Sequence, residues 1–206
     1  MNEKFSENER ITKVVNSFGG ILPCTEVCYI ISIIYSSQAC LNCFSRYESL
    51  LPRKNLPEII SSLQQALSYA AEISRFFWPS YTKEKNMNPL AKARGKKLRN
   101  AFSVKDDSPL SNRALRNYFE HLDEHMDSFF LSDNSFGIWI PYSFMDTANK
   151  EQGVQTHYFK MVDPQNEKMI LFDTEFSFSE IKAEVERIDN FAHQFYENGG
   201  RLPREV

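Results

Sequence analysis

The stretch Ser108–Phe130, SPLSNRALRNYFEHLDEHMDSFF, decides how the rest of the chain is read. Ser108 followed by Pro109 has the form of an N-cap and first helical residue, and neither glycine nor proline interrupts the positions that follow. The pattern predicts one continuous helix. At about 100° per residue, Ala114, Leu115, Tyr118, Phe119, Leu122, Met126, Phe129 and Phe130 form an apolar arc that must face a core, with His125 drifting into it. Arg113, Arg116, Asn117, Glu120, Asp123, Glu124 and Asp127 take the opposite side, and His121 lies at the boundary. Asn117 and His121 stack one turn apart, whereas Arg116 and His121 sit roughly 140° apart around the axis. Arg116 and His121 share a site most readily when a second helix, such as one from a second copy of the chain, faces them.

Two readings of this polar face compete. Arg116 with Glu120, and Arg113 with Asn117, are i, i+4 pairs of an ordinary solvated helix face, each contributing about 0.2–0.5 kcal/mol. The same groups are also what metal-free phosphodiester chemistry needs: an imidazole that moves protons near neutral pH and a guanidinium for the charge of a phosphorane-like transition state.

The string Arg116–His121, RNYFEH, resembles the R-x4-6-H signature of the HEPN superfamily of helical domains, in which a polar residue, often Asn, follows the Arg; Asn117 fits that preference. Together with the upstream ISRFFWPS at Ile73–Ser80, the longer string SNRALRNYFEHLDEHMD resembles a group of bacterial proteins in or near that superfamily, over residues 20–130. A second match to the spacing, Arg187 to His193 in RIDNFAH, has Ile188 after the Arg and lacks the polar residue.

The resemblance implies a metal-independent endoribonuclease with a composite site where two motif helices meet in a homodimer, in a bacterial toxin–antitoxin or phage-defence setting. Arg116 would stabilise the scissile phosphate, His121 would act as general acid or base, and Asn117 would orient one of them. Arg113, Glu120 and Glu124 would support the site. The nucleophile would be the ribose 2'-hydroxyl, which selects RNA over DNA. One toxin subgroup carries a Tyr two residues after the His, where AMP transfer neutralises it; Asp123 stands there in this chain, which argues against that subgroup. Some HEPN domains are catalytically silent, so the alternative is a protein- or ligand-binding module using Arg113, Arg116 and the acidic face. RNA, a second copy and an antitoxin or regulatory protein are the partners implied.

Composition narrows the class. The 206 residues are 42% hydrophobic, enough for a substantial core, and carry a formal charge of −3. No global basic footprint for nucleic acid exists. Locally, Lys92, Arg94, Lys96, Lys97 and Arg99 lie just upstream of the motif helix, and Lys92, Lys96 and Arg99 recur at helical spacing as an RNA-tracking rail or a plain solvated face. No Gly-rich phosphate loop, GxSxG, HExxH or dinucleotide fingerprint is present, so no cofactor is expected. The acidic residues of the motif helix share one helix without a second cluster, so no metal is expected either.

Val27–Ser45 holds no charged residue and reaches the length of a membrane span, but Ser32, Ser36, Ser37, Gln38 and Asn42 make it a poor one. It reads as a long buried helix of a cytoplasmic protein without membrane contact. The polar N-terminus lacks the plan of a secretory peptide. Cys24-x3-Cys28 and Cys40-x2-Cys43 raise zinc, yet an unbroken helix of about sixteen residues would hold the pairs some 24 Å apart. Buried thiols in a reducing cytoplasm are the expectation.

The remaining pattern is helical before residue 131 and mixed after it. A short helix precedes Gly19 and Gly20, Leu51–Pro57 is a connector, Glu58–Phe77 is a second long helix antiparallel to the first, and Leu90–Phe102 is a shorter basic helix. With the motif helix these make a HEPN-like four-helix bundle within residues 1–131. Residues 132–206 form an appendage: Phe136–Phe144 and His157–Val162, followed by MILFD, read as a small antiparallel β-hairpin or meander, and Ser177–Tyr196 as a terminal helix buried through Phe178, Ile181, Val185, Ile188 and Phe191. His157 and His193 read as structural.

Overall fold

Ser6 opens helix α1 (Glu7–Phe18) with a capping box: its hydroxyl accepts from the Glu9 amide, and the Glu9 carboxylate returns to the Ser6 amide at 2.7 Å. Gly19, in the left-handed region, ends the helix. Gly20 follows at φ +88°, where an added Cβ would come within 2.5 Å of the Arg94 backbone nitrogen. Only glycine lets the chain pass that close to the next helix. A 3-10 turn, Pro23–Thr25, leads into α2 (Glu26–Leu50), and Pro52 with Lys54 at φ +54° turns the chain into α3 (Leu56–Phe77). Then come α4 (Asn88–Ala101), α5 (Ala114–Glu120), α6 (Leu122–Phe130), strands β1 (Ile138–Phe144), β2 (Thr156–Asp163), β3 (Lys168–Leu171) and β4 (Thr174–Ser177), and α7 (Ser179–Glu197). This computed structural model describes residues 6–80, 85–112, 114–132, 136–145, 155–172 and 174–204, leaving aside the side chains of residues 86, 115, 116 and 119. The protein is mainly helical, with a small sheet and a terminal helix.

Two compact units divide the chain: Met1–Gln38, Tyr69–Ser111 and Glu184–Val206 form one, Ala39–Ser68 and Asn112–Ala183 the other. The first is helical, with Ile30, Ile33, Ile73, Phe77, Leu98, Phe102 and Ile188 fully or almost fully buried. Phe102 meets Phe77 and Phe195 edge-on at 5.5 and 5.0 Å. The second packs the sheet with Phe44, Ile59, Leu63, Val162, Met169 and Phe178 inside. Residues 132–206, expected as an appendage, are shared between both units, and the C-terminal part of α7 belongs to the helical one. Within each unit α2 and α3 run antiparallel: Tyr29 contacts Phe76 in the first, and Cys40 Sγ donates to the Ala66 carbonyl in the second.

Three expectations change. The sheet is mixed: its order is β1-β2-β3-β4, with β1 parallel to β2 and the other pairs antiparallel. The β2–β3 link is a tight turn of the kind an antiparallel reading presumes. There Asp163 accepts from the amides of Gln165 and Asn166 and from the Asn166 side chain at 2.7 Å.

The helix α2 is not buried all round. Cys28, Ile31, Ser32 and Tyr35 are exposed, Tyr35 at 65%, although the segment is long and apolar enough by composition to cross a membrane. Nor are all the thiols buried: Cys24 and Cys28 are exposed, Cys43 is half-buried and only Cys40 is enclosed.

The third change concerns the motif helix. Pro109–Ser111 forms a 3-10 turn, with the Ser108 hydroxyl bound to Glu184 at 2.9 Å. Asn112 Oδ1 takes the Ala114 amide where α5 begins. One residue, His121 at φ −120° and ψ 34°, then separates α5 from α6. Because this break rotates α6 relative to α5, the apolar arc is not one buried stripe. Tyr118 is buried, Leu122, Met126 and Phe129 are half-buried, and Ala114 and Phe130 are exposed.

Candidate functional site

His121 occupies the break itself. Its amide still donates to the Asn117 carbonyl at 3.0 Å, and its own carbonyl accepts from the His125 amide at 3.0 Å. The helical ladder thus survives on both sides while the His121 side chain stands 54% exposed. Its Nδ1 lies 3.2 Å from Glu124 Oε1. A carboxylate at Nδ1 fixes the ring and its tautomer, so Nε2 is left for proton transfer with a ligand. The pair adds little stability because both partners face solvent.

Asn117 and Glu120 are exposed on the turn before, and Asp123 and Asp127 are exposed on the turns after. His121 and Glu124 are brought together, and Asn117 is exposed on the turn before them. Arg113 lies outside the described residues, and so does the side chain of Arg116. The unit that holds them carries nine Lys and Arg against fourteen Asp and Glu. His125, read as drifting into the apolar arc, stacks face to face on Tyr118 at 4.2 Å. Tyr118 in turn donates to the Leu171 carbonyl.

The five basic residues proposed for RNA sit on α4, in the other unit. Lys92 and Lys96 are exposed, but the other three are engaged internally. Lys97 Nζ binds Glu26 at 2.7 Å and the Phe18 and Ile21 carbonyls. Arg99 donates to the Phe77 carbonyl and lies 5.7 Å over the Trp78 ring. Arg94 lies over Tyr29 with a buried Nε that has no hydrogen-bond partner among the described residues. The spacing of the rail is real, yet Arg99 faces inward because it satisfies the end of α3.

The second Arg–His match is structural in its geometry. Arg187 makes two hydrogen bonds to Glu184 and one to the Phe102 carbonyl, while His193 meets Gln38 at 2.9 Å. Burial acts to raise the Glu184 carboxyl, and the bonds from Arg187 and Ser108 outweigh it, holding the carboxyl below its usual range. His157 is buried against Trp139 and contacts the Phe136 carbonyl.

Two groups escaped the sequence reading. Lys160 Nζ donates to Gln64 at 2.9 Å, and burial lowers its pKa. Tyr47 is buried beneath Phe178 with its hydroxyl unpartnered among the described residues; burial, reinforced by Glu167, Glu48 and Asp163, pushes its pKa up. Neither carries a motif. Comparison of the chain with protein-family models, curated proteins and solved structures gives no match.

Proposed function

We infer that the chain is a metal-independent endoribonuclease of the HEPN kind, acting as a cytoplasmic homodimer under the control of an antitoxin or other regulatory protein. The observation that supports this reading best is His121 at the α5–α6 break with Nδ1 against Glu124 and its side chain 54% exposed. In the cleavage step, His121 Nε2 takes the proton of the ribose 2'-hydroxyl as its oxygen bonds to phosphorus. The phosphorus–O5' bond breaks, and an imidazolium from the second copy of the motif protonates the leaving oxygen. The products are a 2',3'-cyclic phosphate and a free 5'-hydroxyl. Arg116 supplies charge to the equatorial oxygens and Asn117 a hydrogen bond.

A second reading draws on the exposed carboxylates around His121. Glu120, Asp123, Glu124 and Asp127 repel a phosphate and favour a catalytically silent module that binds a basic partner. Incubation with total RNA and a labelled tRNA in EDTA separates the two. Cleavage by the wild type, but not by Arg116→Ala or His121→Ala, leaving cyclic phosphate ends, supports the nuclease. Folded, inert protein favours the module.

A further inference from the structure

The helical unit holds a cleft of about 930 Å³ between the end of α1, the middle of α4 and the tail that follows α7. The tail is laid there by the fold. Gly199 and Gly200, both in the left-handed region, close α7, and the Gly200 amide donates to the Phe195 carbonyl at 2.9 Å. Beyond them, Arg201 donates to the Pro23 carbonyl, Leu202 is buried, and its amide donates to Glu26 at 3.2 Å. These contacts anchor the tail as one wall of the cleft.

Four cations, Lys96, Lys97, Arg201 and Arg204, line this cleft with a single carboxylate, Glu26. Glu26 is buried and already neutralised, since one oxygen takes Lys97 and the other the Leu202 amide. All three donors of Lys97 are engaged by Glu26 and the Phe18 and Ile21 carbonyls, so Lys97 positions the wall. Lys96 and Arg204 have no hydrogen bond or ion pair among the described residues, and Arg201 spends one nitrogen on Pro23. Three cationic groups thus line the cleft with no carboxylate left to answer them among the described residues. A concave surface of one sign concentrates counter-charge, and the volume falls in the range of small-ligand sites, which reach about 1,000 Å³. Phe18, half-buried, is the aromatic residue of the lining.

We propose that this cleft binds phosphate-bearing nucleotides, with Lys96, Arg201 and Arg204 on the phosphates and Phe18 beside the base. Two sources share this chemistry, a free nucleoside polyphosphate and the backbone of a single-stranded RNA. The site stands apart from the reading of His121 and does not depend on cleavage.

The test is fluorescence anisotropy on the full chain carrying His121→Ala, so that RNA stays intact, with a fluorescent nucleoside triphosphate in one arm and a labelled oligoribonucleotide in the other. Lys96→Glu with Arg204→Glu is expected to weaken binding by about tenfold or more, as expected when two charge-assisted contacts reverse sign. Lys105→Glu, half that charge change on an exposed residue outside the cleft, is expected to change it less than about twofold. Circular dichroism melts of every variant check the fold. Loss in the triphosphate arm alone assigns a free nucleotide, and loss in the RNA arm assigns the backbone. Absence of binding to either probe by the His121→Ala parent, an unaffected double variant, or equal loss from Lys105→Glu overturns the proposal.

Discussion

Tyr118 and His125 stack face to face, with ring centroids 4.2 Å apart and planes 6° from parallel, although seven residues separate them. In a straight helix seven residues rise about 10.5 Å. The stack therefore spans the break at His121, and Tyr118, buried and bound through its hydroxyl to the Leu171 carbonyl, ties that break to the sheet. The exposed imidazole at the hinge is positioned by a contact made one turn either side of it.

Truncating the anchor is expected to cost stability. Tyr118→Ala removes a buried aromatic and should destabilise the protein by about 3–5 kcal/mol, while Tyr118→Phe loses one hydrogen bond worth about 1 kcal/mol. His125→Ala leaves the anchor in place and is expected to cost less than Tyr118→Ala. Urea unfolding of the three variants checks the order, and a His125→Ala cost equal to that of Tyr118→Ala would show the stack, and not the buried phenol, to be the anchor.

His121 and Glu124 separate chemistry from folding. Both are exposed, so His121→Ala and Glu124→Gln are expected to change stability by no more than about 0.5 kcal/mol. Ribonuclease activity should vanish in His121→Ala and fall by roughly tenfold in Glu124→Gln, where the ring keeps a neutral acceptor but loses the carboxylate. Initial rates on a labelled tRNA, read beside thermal melts, decide it. A collapsed melt for His121→Ala would make the imidazole a structural residue.

The helices α2, α3, α4 and α7 were legible because apolar periodicity persists over many turns in each, and the real ends lie within a few residues of the reading. The break at His121 was not. No glycine or proline marks it, and the local pattern carries no signal of the Tyr118–His125 stack that spans it. Parallel pairing of β1 with β2 was hidden for a similar reason: alternation reveals a strand and its faces, but not the direction of its neighbour. Within the candidate site, the exposure of Asn117, His121 and Glu124 agrees with their polar or boundary positions on the helix. The inward turn of Lys97 and Arg99 did not, because helix α4 shows its basic face to both solvent and the ends of α1 and α3.

Glu184 supplies an acid-sensitive contact in the helical unit. Its carboxyl is half-buried, which acts to raise its pKa, but Arg187 and Ser108 outweigh that and hold the folded value below the unfolded one, near 4.3. A group depressed in this way stabilises the fold fully above the unfolded value, and its contribution is lost as pH falls through the folded one. Glu184→Gln is therefore expected to cost about 1–3 kcal/mol at pH 7, with the gap to wild type closing below about pH 4. Urea midpoints from pH 7 down to 3 measure the gap. A constant difference across that range would show that the ionised carboxylate contributes nothing.

Thiol reactivity follows position along α2 and its approach. Cys24 and Cys28 are exposed, so both should react with a disulfide reagent within the fast phase. Cys43 is half-buried, and burial raises its thiol pKa, outweighing the opposing charge of Arg46. It should react more slowly at neutral pH because less of it is thiolate. Cys40 donates to the Ala66 carbonyl inside the core and should react only as the protein unfolds. Timed labelling followed by peptide mass spectrometry gives the order, two fast, one slow and one protected. Protection of Cys24 and Cys28 in the native protein, lifted by denaturant, would instead place a second surface over the exposed face of α2.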